Sequence, residues 1–215
     1  MPGVADAGEP VDAGPLLTRG PVRVITAVSS TDSAADGGVE VNPPALALPG
    51  DLVALMLLRA DGRAPFTAEA RGWRREFSNG LGSGLEQVNL LWRVAAADEP
   101  LDRGRYAFEA PGGAWWALFV FRGASGLVTH ESRDGSPPIS FTAASGSPGD
   151  LVIDLFAPGN FSDCFGPDGG MPVTSFGRFK VAIMPVDASG VTPAVSMDCG
   201  LGAGNVSQLR VFAAP

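Results

Sequence analysis

Apolar residues in this chain fall into short runs, or alternate with polar ones, and glycine, proline and aspartate punctuate them. Val22-Arg23-Val24-Ile25-Thr26-Ala27-Val28 half-alternates and is rich in β-branched residues, and Gly38-Val39-Glu40-Val41-Asn42 alternates briefly. Both patterns predict strands with one face turned inward. Leu52–Leu58 and Leu151–Phe156 are nearly continuous apolar runs, the pattern of strands buried on both faces. Each follows the same pentapeptide, Pro-Gly-Asp-Leu-Val, at Pro49–Val53 and at Pro148–Val152. Proline fixes φ, glycine supplies left-handed dihedrals and aspartate bonds to nearby backbone, so one turn-into-strand device is written twice.

Further strands are predicted within Phe66–Phe77 and over Leu85–Ala95, Tyr106–Glu109 and Trp115–Phe121. In the second half they fall at Ile139–Thr142, Phe179–Met184, Ala194–Met197 and Val206–Phe212. Val94–Glu99 is the one helix-like stretch, a turn or two at most. Strands at roughly ten-residue spacing with no amphipathic helix between them predict an all-β, antiparallel β-sandwich, jelly-roll-like, and argue against a parallel α/β sheet. Met1–Gly20 is small, acidic and without apolar period, so it is expected as an extended N-terminal arm, residues 1–20, ahead of a single sandwich domain, residues 21–215. Outside the shared pentapeptide the flanking residues differ, so the repeat predicts two similar core strands and not a duplicated chain.

Composition narrows the function. The 29 glycines and 19 prolines suit turns and disfavour helices. A net charge of −8 excludes binding to nucleic acid through clustered Lys and Arg. Lys180 is the only lysine. The first residues carry neither a basic stretch nor an apolar one, and Leu52–Leu58 is too short to span a bilayer, so neither a secretory leader nor membrane insertion is expected.

Candidate chemistry is sparse. His130, the only histidine, would have to serve any Ser–His–Asp hydrolase, yet no G-x-S-x-G elbow exists. Gly80–Gly84 and Gly200–Gly204 resemble phosphate loops but open no helix, and read as turns. Asn160, Asp163 and Asp168 share a loop without EF-hand spacing, and Glu69, Glu76, Glu86, Asp98 and Glu99 form no recognisable glycosidase pair. No catalytic residue, cofactor or metal is assigned. Cys164 and Cys199 are a candidate disulfide; the absence of a leader favours two unlinked thiols instead. Adjacent Trp115 and Trp116 must point to opposite faces of a strand, so one of them is expected at an interface; Trp92 and the other are expected in the core.

The order of these landmarks is itself informative. Pro-Gly-Asp-Leu-Val is followed by Arg71-Gly72-Trp73, by Leu90-Leu91-Trp92-Arg93-Val94-Ala95 leading to Asp98-Glu99-Pro100, by Phe121-Arg122-Gly123-Ala124, and by the second Gly-Asp-Leu-Val. This order resembles a β-sandwich domain of tailed-bacteriophage structural proteins (minor tail, fibre-like and head-decoration components) over roughly Pro21–Pro215. The resemblance implies a non-enzymatic virion protein, made in the host cytoplasm, that works as a homo-oligomer or as many copies on a particle, with other virion proteins as partners. Assembly contacts are then expected from Val11, Leu16 and Leu17 of the arm and from Trp115 or Trp116. The alternative is a carbohydrate-binding module in which exposed tryptophans hold a host-surface glycan.

Overall fold

The computed structural model describes residues 20–32, 38–41, 47–59, 72–81, 86–96, 106–109, 114–136, 138–158, 164–165, 174–176, 179–199 and 204–215. Among them every regular element is a β-strand. The first half holds β1 (Arg23–Asp32), β2 (Gly38–Val41), β3 (Leu52–Arg59), β4 (Arg74–Leu81), β5 (Glu86–Val94), β6 (Tyr106–Glu109) and β7 (Ala114–Arg122). The second holds β8 (Ala124–Gly135), β9 (Ile139–Phe141), β10 (Leu151–Pro158), β11 (Cys164–Phe165), β12 (Thr174–Phe176), β13 (Phe179–Pro185), β14 (Val195–Cys199) and β15 (Gly204–Ala213).

Two five-stranded antiparallel sheets form the body, in the orders β1-β7-β3-β5-β4 and β12-β13-β10-β15-β8. Reading the second from its other edge, β8-β15-β10-β13-β12, exposes a repeat. If β8, β10, β12, β13 and β15 are matched in chain order to β1, β3, β4, β5 and β7, the two sheets have one strand order. The short strands repeat as well: β2 pairs with β6, and their counterparts β9 and β14 pair with each other, with β11 added to β14. The chain is thus written twice in topology although only five residues repeat as sequence. Between the sheets β1 meets β12, and β4 meets β8 and β15, while β3 also touches β8.

Strand periodicity distributes the side chains. Leu52, Ala54, Met56 and Leu58 of β3 and Leu151, Ile153, Leu155 and Ala157 of β10 enter one core shared by both sheets, with Val88, Leu90, Phe119, Phe121, Val181, Leu209 and Val211. The alternate residues Val53, Leu55 and Leu57 of β3 join Trp73, Leu91, Leu118 and Val120 in a second cluster on the outer face of the first sheet. On the outer face of the second sheet Val152, Phe156, Ala182 and Met184 pack with Ile139 and Phe141 of β9 and Val195 and Met197 of β14. Burial on both faces accounts for the unbroken apolar runs behind each Pro-Gly-Asp.

Some sequence expectations shift. β8 spans twelve residues, but its polar sequence hides it, because it is an edge strand with one wet face. Gly80 and Leu81, expected in a turn, continue β4, and the strand expected within Phe66–Phe77 is β4, beginning only at Arg74. Val94 ends β5 in extended conformation instead of starting a helical turn, and Asp98 and Glu99 lie outside the described residues. The arm Met1–Gly20, apart from exposed Gly20, lies outside them too.

Candidate functional site

Among the described residues, six of the nine buried polar side chains lie at four places. The first two are the paired turns. At Pro49-Gly50-Asp51, Gly50 adopts φ 88° and the Asp51 N–H donates to the Leu48 carbonyl. The Asp51 carboxylate accepts the Leu48 N–H at 2.8 Å and, across the sheet, Arg122 Nε at 3.1 Å and Nη2 at 2.9 Å. At Pro148-Gly149-Asp150 the pattern returns: Gly149 at φ 95°, the Asp150 N–H to the Ser147 carbonyl, the Ser147 N–H to Asp150 Oδ2. Arg210 donates to Asp150 through Nε and Nη2, and Ala213 N–H through 2.8 Å to Oδ1. Burial acts to raise the Asp150 pKa, but the bonds from Ala213, Arg210 and Ser147 outweigh it and hold the carboxyl below its ordinary range.

The third place lies on the outer face of the second sheet. Asp154 of β10 is fully buried where its neighbours in sequence are apolar. Gln208 Nε2 donates to Asp154 Oδ1 at 2.9 Å and to the Thr142 carbonyl at 3.0 Å. Asp154 Oδ2 and Gln208 Oε1 have no partner. Burial pushes the Asp154 pKa up to about 7; the Gln208 hydrogen bond opposes the rise and the charge of Glu131 adds to it. At the fourth, on the opposite face, Asn205 Nδ2 donates to Ser132 Oγ, which bonds Ser207 Oγ, and Ser207 Oγ donates to Asn205 Oδ1. Serine and asparagine thus stitch β8 to β15.

These groups bind backbone and each other, which is architectural work. Among the described residues no set of three or more His, Cys, Asp or Glu is placed to hold a metal ion, and no helix is long and apolar enough to cross a membrane. His130 is exposed at a bulge in β8, where Leu209 opposes Thr129 and Gln208 opposes Glu131. Glu76 also sits at a bulge, in β4, and its carboxylate accepts Trp92 Nε1 at 3.3 Å and the Thr129 N–H at 2.5 Å.

Trp115 and Trp116 do face opposite ways: Trp115 packs on the shared core and Trp116 on the outer cluster of the first sheet, both half-buried. Trp92, expected in the core, lies half-buried at its rim, held there by Glu76 and by the Arg74 guanidinium 5.1 Å from its ring centre. Trp73 is instead the deeply buried one, at 5% exposure. Cys164 and Cys199 stand opposite each other in the β11–β14 register. Val11, Leu16 and Leu17 of the arm, and Asn160, Asp163, Asp168 and Glu69, lie outside the described residues. The Asp–Arg pairing at both turns escaped sequence reading, because the partners are 71 and 60 residues apart. The chain matches no protein-family model, no curated protein and no solved structure.

Proposed function

We propose that the chain is a non-enzymatic structural component of a tailed-phage virion, a head-decoration or minor tail protein acting in assembly, particle stabilisation or adhesion. The observation that carries the reading is the strand order of the second half. The sheet runs β8-β15-β10-β13-β12 and β9-β14-β11 forms a second layer, so the chain changes layer at every step except between β12 and β13. This order supports reading the second half as jelly-roll-like, an architecture shared by viral capsid and lectin domains. The landmark order around Trp73, Trp92 and Phe121-Arg122-Gly123 supports the phage assignment, and an acidic surface is compatible with a packaged genome. On this reading Met1–Gly20 laces onto a neighbouring subunit.

Immunogold labelling of purified particles tests the proposal. Antibody to the chain should decorate particles at many sites, and a chain lacking residues 1–20 should fail to incorporate. Unlabelled particles would overturn the virion assignment, whereas labelled particles that still incorporate the truncated chain would overturn only the arm. Glycan-array binding that Trp115→Ala or Trp116→Ala abolishes would favour the carbohydrate-binding alternative.

A further inference from the structure

We propose that Cys164 and Cys199 form an intramolecular cross-strand disulfide that staples β11 to the outer layer of the second half. The proposal stands on the backbone and does not depend on the virion reading. β11 is two residues long and pairs antiparallel with β14, with Cys164 directly opposite Cys199 and Phe165 opposite Asp198. Directly opposed residues of an antiparallel pair have Cα atoms about 4.5 or 5.5 Å apart, depending on their place in the ladder. Both separations fall within the span of roughly 4.4–6.8 Å that a disulfide bridges without backbone movement. The other side of the staple is firm: β14 also pairs with β9, and its Val195 and Met197 are buried in the outer cluster of the second sheet. So short a strand has little ladder of its own, and a covalent link supplies what two residues of pairing lack.

The bond needs an oxidant, since the cytoplasm keeps thiols reduced. A small-molecule disulfide such as oxidised glutathione suffices. One cysteine thiolate attacks it and releases one glutathione thiolate, leaving a mixed disulfide. The second cysteine, as its thiolate, then displaces the other glutathione. Two electrons pass from the cysteines to the glutathione disulfide, and the two thiol protons end on the two released glutathiones. The chain is therefore expected to be made reduced and to close this link on reaching oxidising surroundings.

The test uses the full chain, incubated with oxidised glutathione and digested with trypsin without reductant. Cleavage after Arg133, Arg178, Lys180 and Arg210 separates the cysteines into residues 134–178 and 181–210. These two peptides should run joined, at their summed mass less two hydrogens, and separate on reduction. Two freely alkylated thiols after oxidation would overturn the proposal, as would a disulfide-linked dimer of chains. The link closes a loop of about 35 residues, so the oxidised chain should melt roughly 5–15 °C above the reduced one. Cys164→Ser and Cys199→Ser should each melt like the reduced chain whatever the redox state. A redox-dependent gap surviving in either variant would count against the pairing.

Discussion

At the scale of single residues, two buried aspartates, Asp150 in the turn before β10 and Asp154 within it, do opposite things. Asp150 is held ionised by two N–H groups and Arg210, so its contribution is complete above its unfolded pKa, near 4, and is lost as the pH falls through its lower folded value. Asp154, with a folded pKa raised to about 7, favours folding in its neutral form; that advantage is present below about pH 4 and disappears as the pH rises towards 7. A proton on Asp154 Oδ2 turns an unpartnered acceptor into a donor, and asparagine carries such a donor at every pH. Asp154→Asn should therefore stabilise the chain by about 2–4 kcal/mol at pH 8 and by little at pH 4, as urea unfolding at the two pH values would show. An equal effect at both would disprove a buried titrating carboxyl. Removing the other aspartate is costly: Asp150→Ala strands two N–H groups beside a partly buried arginine and should cost about 3–5 kcal/mol. Asp51→Ala should cost less, about 1–3 kcal/mol, because the Arg122 side chain is 41% exposed and keeps its water. Urea midpoints of the two variants decide the order.

Among the elements, the edge strands β4 and β8 are joined across the sheets by a side-chain hydrogen bond. Each has a bulge, at Glu76 and at His130, and the Glu76 carboxylate reaches from one to the N–H of Thr129 beside the other. A bulge bends an edge and re-aims a side chain, and bent edges resist pairing with another molecule. Glu76→Ala should destabilise by about 1–3 kcal/mol and speed hydrogen exchange at the Thr129 amide, while Glu76→Gln, which retains an acceptor oxygen, loses less. Unchanged exchange at Thr129 in the alanine variant would show that the contact is idle. Sequence was a good guide to β3, β7 and β10, whose apolar runs come from burial on both faces, and to β5 and β15, whose apolar residues enter the core between polar ones. It was a poorer guide to β8, where one wet edge face leaves Val128-Thr129-His130-Glu131-Ser132 readable as either a strand edge or a turn, and the twelve-residue strand is not evident. β11 and β12 are too short to leave a period at all. Of the candidate site, Cys164 and Cys199 could be named from sequence as a candidate bridge but not placed on facing strands, and Asp51 and Asp150 could be read as turn-formers without their arginines. Pairing distant strands is a property of topology, which two dissimilar halves can share without sharing residues.

For the whole molecule the question is whether that duplicated topology behaves as two bodies or one. The geometry argues for one. The central core takes residues from both sheets, so neither half can bury its inner face alone. At one end of the strands the halves exchange backbone hydrogen bonds, Val22 N–H to the Gly149 carbonyl at 2.8 Å and Ala214 N–H to the Gly123 carbonyl at 2.7 Å. Gly123, at φ 74°, is the single residue between β7 and β8, leaving no linker over which the halves could separate. The placement of the tryptophans makes this testable: Trp73, Trp92, Trp115 and Trp116 all precede Gly123, so intrinsic fluorescence reports the first half alone, while far-ultraviolet circular dichroism reports every strand. Leu155 belongs to the second half and is fully buried in the shared core. Leu155→Ala should cost about 2–5 kcal/mol, which for a chain of this size lowers the melting temperature by roughly 5–15 °C. If the halves are one cooperative unit, the tryptophan transition must fall by as much as the dichroism transition, although the substitution lies in the half without tryptophan. A fluorescence midpoint left at its wild-type value beside a biphasic dichroism curve would mean two independent bodies, and would remove the shared core as the source of stability.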